Sequence, residues 1–368
     1  MTEAWAIWLS ASLLVYLFIA QSALLGWRRN TVPKIQAALP IHVIIPAHNE
    51  AECIGLLLDD LTKQEPDATI PYRIIVVDDR STDRTAHIVE QYRDRLPIEL
   101  MHIKRLPDGI HGKLFAMYNA TSELTEGSVL MVDADCRVGP KWIASMAKEA
   151  GVGGTVGPVF EISRKPGLFR EMLTDDQAAI TYAAMGLIAR SYPLTASTAN
   201  MLIPVSAIRS GLWERVGTDG TGEDGRILQD QFSQGTPMRA AINQDSCVIT
   251  YSAPTYRDTA ATRRRWYQDA MTYQTSVQAS HILIGITLAG LASAIPALFF
   301  CSVWKIGLMV LLLKLLNDLF IWRYVEPIFP YFTLRSVLLW SPLQAWFLLS
   351  YALLPPPKKR SIRGFTDK

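Results

Sequence analysis

The sequence predicts an α/β fold with a mixed, mostly parallel sheet, helices on both of its faces, and transmembrane helices before and after it. Three observations predict this. From about residue 38 to 270, apolar runs of strand length alternate with stretches of helical periodicity, the pattern of βαβ units. Each run ends in an acidic or Ser/Thr-rich loop, where open α/β sheets place their ligands. Two long apolar zones bracket the region, with stretches able to cross a ~30 Å hydrocarbon core.

The elements follow in order. "AWAIWLSASLLVYLFIAQSALLGW" (Ala4–Trp27) has no charge and predicts an N-terminal membrane helix over 4–27. No basic segment precedes it, and its apolar run is too long for a signal peptide. Glu3 precedes it, and Arg28, Arg29 and Lys34 follow. The positive-inside rule therefore puts the N-terminus outside and the domain over 38–270 in the cytoplasm. "IHVIIPAHNEA" reads as a buried strand and its loop, and "ECIGLLLDDLTKQ" as a helix. "YRIIVVDDRSTDRTAHIVEQYRDRL" repeats strand, acidic turn and helix, while "IELMHIK" and "GSVLMVDADC" are two more strands.

Residues 281–355 hold three further span candidates: "HILIGITLAGLASAIPALFF", "VWKIGLMVLLLKLLNDLFIW" and "SVLLWSPLQAWFLLSYALL". The second carries Lys314, Asn317 and Asp318, and polar groups inside a membrane usually face a bundle interior. Three full spans would put the basic tail, 356–368, outside. Two spans and one re-entrant or interfacial helix would keep it in the cytoplasm; both topologies stay open.

Composition narrows the function. The 368 residues are 49% hydrophobic and 19% charged, with a net charge of +2 from 36 Lys/Arg and 34 Asp/Glu. Such a balance gives no electrostatic footprint for nucleic acid. Cys53, Cys136, Cys247 and Cys301 are scattered, without CxxC or zinc spacing, which fits a reducing compartment. GxGxxG and GxxxxGK[ST] are both absent, which argues against a dinucleotide dehydrogenase and a P-loop NTPase.

The acidic loops carry the chemistry. Asp78 and Asp79, in "VVDDRSTD", could accept from a uracil N–H or a ribose hydroxyl; the same residues would also suit a helix cap. In "MVDADCRV", Asp133 and Asp135 are one residue apart at a strand end, so both carboxylates can face one ligand. Two like charges so placed call for a cation. Mg²⁺ or Mn²⁺ takes one or two carboxylates plus phosphate oxygens and would stabilise a departing diphosphate.

"VIIPAHNEA", "VVDDRSTDRT", "GKLFAM", "VDADCRVGP", "GEDGRILQD" and "RRRW" occur in the order found in membrane-bound family-2 glycosyltransferases. Over about residues 40–270 the chain resembles that family, and "LPDGIHGKLFAM" resembles its hopene-associated members. The resemblance implies a GT-A (Rossmann-like) fold, a UDP-sugar donor, Mg²⁺ or Mn²⁺, and inversion at the anomeric carbon.

It also implies roles. Pro46, His48, Asn49 and Glu50 would form the first nucleotide-facing loop, with Asp78 and Asp79 on the uridine. Lys113 would meet the base or diphosphate, Asp133 the ribose or sugar and the metal, and Asp135 the metal. The family's Glu-Asp pair falls on Glu223 and Asp224, with Asp224 as general base and Asp230 as a competitor for that role. Glu223 and Asp224 also suit a helix N-terminus as favourable acidic charge. The family's QxxRW falls on Thr262–Trp266, with Thr in place of Gln. Arg265 would bind diphosphate and Trp266 would stack on the acceptor, while "TASTANMLIP" lies at the acceptor-side loop.

A catalytic domain tethered by apolar segments to the inner membrane suggests a lipid acceptor. Two other readings stay open: a synthase that extends a polysaccharide, and an inactive membrane scaffold.

Overall fold

The computed structural model describes residues 2–65, 67–164, 167–217, 222–253, 255–299, 302–329 and 332–353, without the side chains of 168–173. The basic tail expected at 356–368 lies outside the described residues. The chain divides into two compact units. One holds Arg29–Phe160 and Ile188–Tyr251; the other holds the described residues of 2–28, 161–187 and 252–353. Residues 161–187 and 252–270, inside the range read from sequence as one domain, belong to this second unit.

Ten strands are described: β1 (Ile41–Ala47), β2 (Tyr72–Asp79), β3 (Ile98–Ile103), β4 (Ser128–Met131), β5 (Arg137–Val138), β6 (Thr155–Val156), β7 (Val159–Ile162), β8 (Met201–Pro204), β9 (Arg239–Ala240) and β10 (Val248–Tyr251). Seven form the main sheet, in the order β3-β2-β1-β4-β8-β6-β9. β1 is buried along its whole length, as expected of a strand covered on both faces. It pairs parallel with β2 (Ile41↔Tyr72) and β4 (Ile41↔Ser128), and β2 pairs parallel with β3 (Ile74↔Ile98). β8 runs antiparallel to β4 and β6, so the sheet is mixed. Val43, Ile45, Leu57, Leu58, Val76 and Trp142 are in the buried core of this unit.

The parallel order brings the C-terminal ends of β1, β2 and β4 side by side. β4 stops at Met131, earlier than the apolar run suggests. Val132 N still donates to Ile44 O at 3.2 Å, but Asp133–Cys136 is then a turn closed by Cys136 N to Asp133 O at 3.1 Å.

The second unit is helical. Helices Thr2–Arg28 and Thr275–Ala297 are long and apolar enough to cross a membrane. Trp304–Val325 is a third long helix. The last apolar segment is broken into two short helices, Leu334–Trp340 and Gln344–Leu353. Helix Leu168–Ile188 meets the first helix at glycine: a Cβ on Gly26 would lie 1.8 Å from Gly186 O. Only the missing side chains allow that approach. Trp27 Nε1 donates to Tyr182 O at 2.9 Å beside it.

Lys314 is 2% exposed. Its Nζ donates to Asp318 Oδ2 at 2.6 Å and to Gln344 Oε1 at 3.0 Å, and Tyr16 donates to Asp318 Oδ1. Gln21 reaches Asn317 at 2.6 Å, and Arg28 reaches Tyr324. Lys314 and Asp318 are thus paired inside the bundle, as burial of such groups requires, while Asn317 Nδ2 is buried without a partner among the described residues.

Candidate active site

The loops after β1 and β2 are stitched together. Asn49 has φ 56°, a left-handed conformation that Asn tolerates. Its backbone N–H meets Ser81 Oγ at 2.9 Å, and its side-chain oxygen accepts from Thr82 N at 2.8 Å. Glu50 N donates to Thr85 Oγ1 at 2.8 Å, and Ala51 N to Asp83 Oδ2 at 3.1 Å. A His48 ring nitrogen contacts Asp79 O. Pro46 is in β1, opposite Val77. "PAHNEA" and "DDRSTDRT" therefore form one scaffold: the Ser, Thr and Asp side chains that suit a cap here bind the neighbouring loop.

Asp79 is 1% exposed and binds Arg80 through two bonds, at 2.7 and 3.0 Å. Asp78 Oδ2 lies 3.0 Å from His102 Nδ1. Helix Gly112–Ser122 starts against this pair: a Cβ on Gly112 would lie 2.5 Å from Asp79 Oδ2. That explains the glycine in "HGK", and the next residue is Lys113.

Lys113 Nζ is 2.8 Å from Asp133 Oδ1 and 3.8 Å from Glu223 Oε1. Burial opposes its charge, but Asp133, Asp224 and Glu223 outweigh burial and hold its pKa above the usual lysine value. Glu223 and Asp224 form the first turn of helix Glu223–Ser233, where acidic charge suits the helix dipole. Asp224 Oδ1 accepts from Thr198 N at 3.0 Å and from Thr198 Oγ1. Burial and Glu223 raise the Asp224 carboxyl to about 6, against the opposing pull of Lys113 and Thr198. A carboxylate so tuned can take a proton near neutral pH. Asp230 is engaged differently, held by Arg215 through two bonds at 2.7 and 2.9 Å.

Residues 42–208 match the family model described as glycosyl transferase family 2. Over those residues the chain is similar to family-2 glycosyltransferases. It is 28% identical over 131 residues to the undecaprenyl-phosphate 4-deoxy-4-formamido-L-arabinose transferase of Photorhabdus laumondii, covering 36% of this chain and 40% of that protein. It is 38% identical over 94 residues to the poly(ribitol-phosphate) β-N-acetylglucosaminyltransferase of Staphylococcus aureus, covering 25% of this chain and 16% of that one. The chain thus spans less than half the length of either relative. Its fold is similar to that of a mannosyltransferase from Pyrobaculum calidifontis, solved with GDP-Man and Mn²⁺. The TM-score is 0.54 at 19% identity, over 96% of this chain and 98% of that one. That likeness supports a GT-A-like fold.

Asp133, Glu223 and Asp224 come together around the one ammonium of Lys113. Asp133 and Asp135 are half-buried, with Ala134 and Cys136 buried between and after them. Among the described residues no group of three or more His, Cys, Asp or Glu could hold a metal ion. Two carboxylates whose shell is completed by a diphosphate still fit Mg²⁺ or Mn²⁺. Asp133 Oδ1 is bonded to Lys113 Nζ at 2.8 Å, and Cys136 Sγ reaches Asp135 Oδ1 at 3.8 Å.

Arg265 and Trp266 are in the other compact unit, on helix Tyr256–Ala270. Arg265 is exposed. Arg263 is buried and binds Glu161 at 2.8 and 3.0 Å and Asp176 at 3.0 and 3.0 Å. Its guanidinium also lies 4.3 Å from the centroid of the Trp266 ring. Sequence reading missed three features: the Thr198 contact to Asp224, and the acids Glu161 and Asp176. The clustered Ser, Thr and Asn of "TASTAN" ahead of an apolar run signal a turn; the lone Glu of "VGPVFEI" and the Asp pair of "TDDQAA" were the available hint of buried pairing.

Proposed function

We propose that this protein moves a sugar from a UDP-sugar to the hydroxyl of a membrane lipid at the cytoplasmic face of the cell membrane, with inversion. The observation that carries the reading is the convergence of Lys113, Asp133, Glu223 and Asp224 beside the loops after β1 and β2. Asp224 takes the proton of the acceptor hydroxyl as that oxygen attacks the anomeric carbon opposite the diphosphate. Glu223 and Lys113 set the field in which Asp224 ionises. Pro46, His48, Asn49, Glu50, Asp78 and Asp79 shape the nucleotide site. Arg265 serves the diphosphate and Trp266 the acceptor. Asp135, with Asp133, would hold Mg²⁺ or Mn²⁺, which when bound offsets charge on the departing diphosphate.

The apolar helices and the undecaprenyl-phosphate named for the Photorhabdus relative support a lipid acceptor. They also support a multi-pass protein. The broken last segment then reads as re-entrant. Trp322 Nε1 donates to Phe332 O at 2.7 Å at the end of the long helix. Ser341 and Gln344 reach Lys314, halfway back along that helix, at 3.4 and 3.0 Å. Tyr351 O then accepts from Arg264, ahead of helix Thr275–Ala292, at 2.8 Å. Helices of 7 and 10 residues rise only ~10 and ~15 Å, about a third and a half of the ~30 Å hydrocarbon core. Incubating membranes with labelled UDP-sugars tests the function: label should enter the lipid extract, and Asp224→Asn should prevent it.

A further inference from the structure

We infer that Thr198 is the positioning residue for Asp224: it fixes one oxygen of the carboxylate and leaves the other to face the acceptor hydroxyl. The inference rests on Asp224 being the base. Thr198 N–H and Oγ1–H both donate to the same atom, Asp224 Oδ1. A carboxylate held at one oxygen cannot rotate freely, so Oδ2 keeps one direction. Such holding of a reacting group is what makes a site effective.

The platform under Thr198 is built independently of Asp224. Thr198–Asn200 is a single 3₁₀ turn whose Ser197 side chain accepts from Ala199 N. Asn200 is 0% exposed and makes five bonds, one from its backbone N to Ser197 O at 3.2 Å. Its Nδ2 donates to Pro158 O at 2.9 Å and to Ser246 O at 2.8 Å. Its Oδ1 accepts from Trp142 Nε1 at 3.0 Å, and its backbone O from Gly157 N at 2.9 Å. A Cβ on Gly157 would lie 2.2 Å from Asn200 Nδ2, so the chain is cleared for the clamp. The turn therefore does not need Asp224 to hold its shape. Thr198 itself is 1% exposed, and its hydroxyl is directed at the carboxylate.

The charged groups facing Asp224 are Glu223 on its own helix and Lys113 from helix Gly112–Ser122. Thr198 adds two neutral donors that favour the ionised form. Loss of the hydroxyl should raise the Asp224 pKa and loosen its orientation.

The test uses the full chain in detergent with ¹³C-labelled aspartate, the Asp224 carboxyl signal being assigned by its loss in Asp224→Asn. Thr198→Val should move that titration to higher pH, and Thr198→Ser should return it. Turnover of UDP-glucose, UDP-galactose or UDP-N-acetylglucosamine, whichever is used, should fall roughly ten- to a hundredfold in Thr198→Val, the size of a lost charge-assisted hydrogen bond. Donor KM should change little, and Thr198→Ser should recover most of the rate. If Val does not fold at this site, Thr198→Ala carries the same comparison. An unchanged Asp224 titration in the variant lacking the hydroxyl overturns the inference. The base reading fails in a different way: Asp224→Asn then keeps its turnover, and the inference falls with it.

Discussion

Lys113 Nζ lies 2.8 Å from Asp133 Oδ1 and 3.8 Å from Glu223 Oε1. One ammonium thus joins the turn after β4 to the first turn of helix Glu223–Ser233, and it faces three carboxylates once Asp224 is included.

Replacing Lys113 by Met should expose that imbalance. Removing one partner of a buried ion pair costs about 3 kcal/mol or more. Lys113→Met should lose about that much stability at neutral pH. The deficit should shrink in mild acid, as the Asp224 carboxyl, already raised to about 6, takes a proton and the uncompensated charge falls. Denaturant unfolding at neutral and mildly acidic pH reads both effects; a deficit that grows in acid would contradict them.

Asp224→Asn keeps shape and hydrogen bonding but cannot take a proton. Turnover should fall by roughly 10²–10⁴-fold, with donor affinity changed by less than about tenfold. Asp230→Asn should leave turnover near normal, since Asp230 is bound by Arg215. A dead Asp230 variant beside an active Asp224 variant would move the base six residues along the chain.

The raised Asp224 carboxyl predicts the pH profile. The base must be ionised, so turnover should climb as pH passes about 6, above the usual carboxylate range. A profile already flat from roughly pH 5 upward would show that another group takes the proton.

Much of this was legible in the sequence. Apolar runs ending in "PAHNEA", "DDRSTD" and "VDADC" became β1, β2 and β4, because strand burial is a local pattern. The carboxylates could be named from their motifs. Their partners could not. Lys113 and Asp133 are brought together by the parallel order of β1, β2 and β4, and Thr198 meets Asp224 through a turn held by Asn200. "RRRW" reads as a basic patch, yet Arg263 is buried between Glu161 and Asp176. Those contacts join residues 87 and 102 positions apart, and no local pattern encodes them. The break in the last apolar segment follows "WSPLQ", where Pro342 forfeits a helix hydrogen bond.

Asp135→Asn should damage donor binding as well as turnover, unlike Asp224→Asn. Chelation with EDTA should remove transfer from the wild type, and added Mg²⁺ or Mn²⁺ should restore it. Full activity in the chelator would exclude the proposed role of Asp135 in holding a divalent ion.

The re-entrant reading puts Leu353 on the side of Arg28. A protease site added at the C-terminus should be cut from the cytoplasmic side of inverted vesicles and protected in sealed cells. Cleavage from outside would make the last segment a full span.

The measurement that bears most directly on the central claim is product partition. Membranes containing the protein are incubated with UDP-glucose, UDP-galactose and UDP-N-acetylglucosamine, each labelled in the sugar, and extracted with organic solvent. The account predicts that label from at least one donor enters the lipid extract, and that Asp224→Asn membranes show none. Label appearing only in a high-molecular-weight, solvent-insoluble product, or equal lipid labelling with Asp224→Asn, would contradict it.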